Sequence, residues 1–204
     1  MMRYCLLLML SYVWQPAFTQ QPVVKVHFLY GSKPEKAYEI VEKKWFGGIY
    51  GGHVGISVDD SIISFVPLGK LHYFARRDSL HSRFISSSIK DFKGIFDGAT
   101  DAAVRHVCVE IPITDEQYQT LQLVTYRYLN QTPYDYAFIG MRCASATYDM
   151  LSQAGIMKPL KKSRMVTKIF YPKKLRKRIW GLAKEKNYRI AFEEGRDTRI
   201  WEKD

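Results

Sequence analysis

Two residues of this chain have types and settings suited to acyl transfer: Cys143 in "YDYAFIGMRCASATYDML" and His53 in "GGHVGISV". A thiol is mostly protonated at neutral pH, and the thiolate is the form that attacks a carbonyl. The unpaired N–H groups of a helix's first turn and a neighbouring imidazolium both favour that thiolate. From about Met141 to Ala154 the pattern is helical, with Ala144, Thr147, Leu151 and Ala154 on one stripe and Gly155 just past the end. Cys143 therefore falls in a first helical turn, where the same N–H groups can also donate to a developing oxyanion. Of the five histidines, His27 and His106 sit inside strand-like runs, and His72 and His81 lie in an unpatterned stretch. His53 instead opens a strand directly after Gly47, Gly48, Gly51 and Gly52, where missing side chains leave a substrate room to approach the ring.

The elements that must position this pair are mostly legible. "VVKVHFLY" (Val23 to Tyr30) reads as a strand, and "HVGISV", the turn "DDS" and "IISFV" as a hairpin. "KPEKAYEIVEKKW" predicts a helix with Pro34 at its first position and Ala37, Ile40, Val41 and Lys44 on one face. Residues 68–100 show no clear period and predict a long, partly ordered excursion. "AVRHVCVEIPI" (Ala103 to Ile113) is a further strand, in which Cys108 reads as a small buried residue and His106 as a satisfied one. "TDEQYQTLQLVTYRYL" predicts a helix opened by a Thr114–Gln117 capping box.

Length and composition suit one globular domain, with 47% hydrophobic and 25% charged residues, and there is neither an internal repeat nor a low-complexity tract. The first residues, "MMRYCLLLMLSYVWQPAF", carry Arg3 and then an apolar run too short to span a bilayer. Residues 1–19 are therefore expected to be a secretory signal, residues 20–204 a single domain, and the protein exported, periplasmic or extracellular. In such a compartment Cys108 and Cys143 have the option of pairing, which would exclude thiol chemistry. The histidines are scattered without ligand spacing, so neither a metal nor another cofactor is expected.

The ordered pair "HVGISVDDSIISF" and, about ninety residues later, "YDYAFIGMRCASATYDML" resembles the circularly permuted NlpC-type papain-like cysteine amidases and peptidases. Lecithin:retinol acyltransferase belongs to the same permuted group. The likeness covers roughly Val23 to Ile156. It implies an α+β papain-like fold, an antiparallel sheet packed on helices, one of which bears the nucleophile. It also implies Cys143 as nucleophile, His53 as general base, and Tyr134 or Tyr136 as a hydrogen-bond donor to the substrate carbonyl. The family's third residue, which orients the imidazole, matches Ser64, with His72 as the other candidate. Gly52 would border the substrate, and the Arg142 cation before the sulfur would favour thiolate. Many permuted members carry an acid two residues after the cysteine, where this chain has Ser145.

The net charge of +11 is concentrated in one segment, since residues 158–189 hold thirteen Lys or Arg against a single acid, Glu185. Within it "YPKKLRKRIWGLAKEK" predicts a helix begun by Pro172, with Leu175, Ile179 and Leu182 facing inward. Its basic face is either simply solvated or a contact for an anionic envelope surface. No recognition fold accompanies the charge, so nucleic acid is not an expected partner. Two functions remain open at this point. One is an exported cysteine hydrolase acting on an amide or ester of wall-peptide, isopeptide or acyl-lipid type; the other is a non-catalytic envelope-ligand binding protein on the same fold.

Overall fold

The computed structural model describes residues 21–42, 52–69, 71–76, 81–95 and 104–204. The expected signal segment and Gly47, Gly48 and Gly51 lie outside them. Among the described residues the chain is α+β, with a six-stranded antiparallel sheet and five α-helices.

The sheet is built from β1 (Val23–Leu29), β3 (His53–Val58), β4 (Ser61–Pro67), β6 (Ser82–Ser87), β7 (His106–Pro112) and β9 (Ile190–Glu193), in the order β6-β4-β3-β1-β7-β9. The predicted strand and hairpin are β1, β3 and β4, and Asp59 takes a left-handed conformation (φ 56°) at the tight turn. β7 begins at His106, three residues later than the pattern suggested. Register decides which side chains share a face: Gly55 lies opposite both His27 and Ser64, and Val54 opposite Phe28. One face is therefore apolar (Val26, Phe28, Val54, Ile56, Phe65, Val107, Val109). It is covered by α2 (Asp115–Asn130) and α3 (Cys143–Gln153), with α5 (Pro172–Lys186) packed beside α3 and against β7. The other face carries Lys25, His27, His53, Ser57, Ser64, His106 and Cys108, and α1 (Ile89–Gly94) lies on part of it through the buried Phe92.

The capping box of α2 is formed as expected, Thr114 Oγ1 accepting from Gln117 N–H and Gln117 Oε1 accepting from Thr114 N–H. Gly155 stops α3 with φ +69°, and Pro172 opens α5 at its first turn. In α5 Leu175, Ile179 and Ala183 are buried, while Leu182 is only partly so.

One expectation is overturned, one is filled in, and one open alternative falls away. The stretch from Pro34 is not a helix: β2 (Ser32–Pro34) pairs with β10 (Arg199–Trp201), and a single 3₁₀ turn, Lys36–Tyr38, follows. Ile40 and Val41 stand 98% and 78% exposed, so the apolar stripe that suggested a helix finds nothing to pack on. Residues 43–45 lie outside the described residues. The stretch at 68–100, expected to be partly ordered, holds β5 (His72–Phe74), β6 and α1, and residues 70, 77–80 and 96–100 lie outside the described residues. β6 is Ser-rich and buries only alternate residues, Ser82 and Phe84, which hides its strand character in the sequence. Finally, Cys108 and Cys143 are both free thiols, so the disulfide option is closed. Among the described residues no helix is long and apolar enough to cross a membrane.

Candidate functional site

Cys143 is the first residue of α3, and only 3% of it is exposed. Its helix is capped from within: Arg142 N–H donates to Ser145 Oγ at 2.8 Å, so Ser145 takes the accepting part that an acid plays in a capping box. The Tyr136 hydroxyl and the backbone N–H groups of Val54 and Ala144 lie near enough to the sulfur to favour its thiolate. Burial pushes the thiol pKa up; these donors and the Arg142 cation pull the other way without cancelling the rise. Desolvation likewise drives the Tyr136 phenol well above its ordinary value, so it acts as a hydrogen-bond donor, not as a titrating acid. The Arg142 guanidinium lies over Phe138 (4.5 Å), Tyr171 (5.2 Å) and Phe170 (5.6 Å), and donates to the Phe138 carbonyl.

Of the two candidate tyrosines, Tyr136 reaches the sulfur and Tyr134 does not. The buried Tyr134 hydroxyl lies beside Tyr128 and the Asp149 carboxylate, and its ring packs on Phe65. Gly52 is required on steric grounds. Its φ is +57°, and a Cβ there would come 1.6 Å from the Leu29 carbonyl oxygen.

His53 opens β3 next to the very residue, Val54, whose N–H meets the sulfur, yet its ring leaves on the other side of the sheet. A Cβ at Gly55, two residues on, would point at the Phe92 ring (3.0 Å), and the His53 ring centroid lies 5.6 Å from that same ring. Tyr136, which holds the sulfur, packs instead on Phe65 at 5.1 Å, from the opposite face of the hairpin. The imidazole and the thiol are thus on two faces of one sheet. Burial pushes the His53 pKa down to about 3, so the ring is neutral at neutral pH. Ser64 shares the His53 face, buried opposite Gly55. His72 belongs elsewhere: it sits on β5, which pairs in parallel with β8 (Ala137–Ile139), and its Nδ1 bonds to Asp135.

Asp135 is a cluster in its own right. Besides His72 it accepts from the backbone N–H of Arg76 (3.1 Å) and of His81 (3.0 Å), and the His72 and His81 rings lie 4.4 Å apart. Burial opposes its ionisation, but these donors outweigh it and hold the carboxyl below its ordinary range. The aspartate of "YDYAF" therefore fastens His72, Arg76 and His81 to the domain.

The sequence reading missed a hydrogen-bonded chain across the polar face. Glu193 on β9 accepts from the Lys93 ammonium and from His106 Nδ1 (3.1 Å); His106 Nε2 faces His27 Nδ1 at 3.1 Å; His27 Nε2 faces Ser57 Oγ at 2.7 Å. A carboxylate can only accept, which settles every proton in the series. His106 donates from Nδ1 and accepts at Nε2, His27 does the same, and the Ser57 hydroxyl donates to His27. The two rings are nearly coplanar, 6° apart. Burial, with His106 and the lysines adding to it, lowers the His27 pKa to about 3; burial lowers that of His106 too, despite Glu193. Ser57 and His27 line an open cleft of about 710 Å³ with Lys25, Asp59, Ile89 and Tyr118. His27 and His106 are 79 residues apart in the chain, and no local signal links them. Cys108, facing the same side, is raised to about 11, mainly by burial.

Among the described residues no group of three His, Cys, Asp or Glu side chains could hold a metal ion. No protein-family model, curated protein or solved structure matches the chain.

Proposed function

We propose that this chain is an exported, papain-like binding protein of the permuted type, which holds an amide- or ester-bearing envelope ligand without cleaving it. The observation that carries this reading is the separation of His53 and Cys143 by the sheet. A thiol nucleophile needs either a base within hydrogen-bond reach or a depressed pKa, and Cys143 has a buried sulfur, a raised pKa and an imidazole turned to the far face. On this reading Tyr136, Val54 and Ala144 satisfy a packing residue at the head of α3, and the cationic segment 158–189 supplies attraction to the envelope.

A second reading, the cysteine hydrolase with a Cys143 acyl-enzyme, is favoured by one observation. Two backbone N–H groups and a phenol beside a helix-first sulfur, each favouring its thiolate, are also the kind of donors an oxyanion would use. Thiol labelling at neutral pH separates the two. On the binding reading iodoacetamide modifies Cys143 at least about tenfold more slowly than free cysteine, as burial and a raised pKa dictate. Labelling faster than free cysteine, together with loss of amidase or esterase activity on wall fragments in Cys143→Ala, overturns the binding reading in favour of hydrolysis.

A further inference from the structure

The parallel pair β5–β8 carries a cluster of exposed apolar side chains. Leu71, Tyr73, Phe74, Phe138 and Ile139 are 47%, 61%, 63%, 46% and 49% exposed. The Tyr73 ring meets that of Phe74 edge-on at 5.0 Å, so the exposed side chains gather into one apolar cluster. This two-stranded ribbon is rigidly based. Asp135 fastens its first strand through His72, Arg76 and His81; Ala137 is fully buried; Tyr73 and Phe138 stack at 5.5 Å with planes 12° apart. A contiguous apolar surface of this kind, on a fixed support, is the mark of a docking surface.

Cations border the ribbon. The Arg142 guanidinium covers Phe138 and continues to Phe170 and Tyr171, at the junction of α4 (Lys162–Lys168) and α5. The Lys162 ammonium lies 5.6 Å over Tyr134, beside Asp135. Lys161, Lys162, Arg164 and Lys168 are exposed along α4, and Arg76 is exposed just past β5. A second copy of the chain would bring this cationic border against itself, so charge opposes self-association through the ribbon. Tyrosine, phenylalanine and aliphatic side chains at the tip, with lysine and arginine set behind, is instead the arrangement that enters the headgroup region of an anionic bilayer.

We propose that the β5–β8 ribbon is a membrane-surface anchor: its aromatic tip inserts among lipid headgroups while Arg142 and the α4 cations pair with acidic lipid phosphates. The Cys143 sulfur takes no part in the anchor, which holds whichever reading of that thiol is right, so vesicle binding and thiol labelling can fail independently.

The test is co-sedimentation of the protein with vesicles of phosphatidylcholine, with and without phosphatidylglycerol. The intact surface binds the phosphatidylglycerol vesicles at least about tenfold more tightly, and salt weakens that binding. The double variant Phe74→Ser/Phe138→Ser loses about tenfold or more in affinity with an unchanged urea midpoint, since both side chains lie outside the core. Lys162→Glu/Arg164→Glu/Lys168→Glu abolishes the preference for the acidic lipid. Absence of vesicle binding, or binding that survives Phe74→Ser/Phe138→Ser undiminished, overturns the anchor. So does a dimer in sedimentation equilibrium that those serines dissolve, which would make the ribbon a contact between copies.

Discussion

The two faces of the six-stranded sheet are made from alternating residues of the same strands, yet they solve different problems. The face under α2 and α3 is filled by Val, Ile and Phe side chains that need only shape, and Phe65 alone has rings of Phe84, Tyr134 and Tyr136 within 4.9–5.2 Å. The face toward α1 buries His27, His53, Ser64 and His106, groups that lose water and must find partners or neutralise. The first face derives its stability from dispersion and the hydrophobic effect; the second depends on proton positions, and therefore on pH. Cys143 belongs to the first face and His53 to the second, although one strand carries His53 and meets the helix that bears Cys143.

This contrast can be broken by experiment, and the largest effect is expected on the apolar side. Phe65→Ala should cost about 3–5 kcal/mol in urea unfolding, the range for emptying a buried aromatic site. A loss under about 1 kcal/mol would mean that the α3 side is loosely packed. On the polar side, His106→Leu strips His27 Nδ1 and Glu193 of a partner each and should cost about 1–3 kcal/mol.

The pH dependence should also separate the faces. His27 and His53 have folded pKa values near 3 against an ordinary 6.5, so the unfolded chain takes up protons first as pH falls. Their stabilisation is complete above pH 6.5 and declines from there toward 3. The urea midpoint should therefore drop between pH 6.5 and 5, before most carboxylates titrate, and drop less in His27→Gln. A flat midpoint over that interval would contradict neutral burial of these rings.

Asp135→Asn should act locally. Exchange of the Arg76 and His81 amides should accelerate by about ten- to a hundredfold, with little change in the core of β1, as expected when a buried charge-assisted acceptor is weakened. The smallest effect belongs to Cys143→Ala, at about 1 kcal/mol, because the apolar face tolerates a modest loss of volume at a helix end. A change well above that would give the sulfur a structural importance beyond packing.

Much of the frame was legible because its signals are local. Thr114 with Gln117, Gly155, Pro172 and the Asp59–Asp60 turn each act within a few residues, and each marks the boundary or turn expected of it. The helix expected from Pro34 failed because periodicity describes a face without saying whether anything covers it, and the chain needed Ser32–Pro34 as a partner for Arg199–Trp201. At the candidate site the placement of Cys143 at a helix start was readable. The direction of the His53 side chain was not, since it follows from strand register and from Phe92 behind Gly55. The Ser57–His27–His106–Glu193 series, too, exists only once β3, β1, β7 and β9 lie side by side.

The pairing of β2 with β10 has a consequence in time. Ser32 accepts a hydrogen bond from Arg199, 167 residues later, and Glu42 pairs with the same guanidinium. A chain emerging N-terminus first can zip β1, β3 and β4 together early, but its early 32–42 segment must wait for the last stretch to arrive. Until then the edge of β2 stays open to whatever else can donate a strand, so a holding chaperone would find its purchase there.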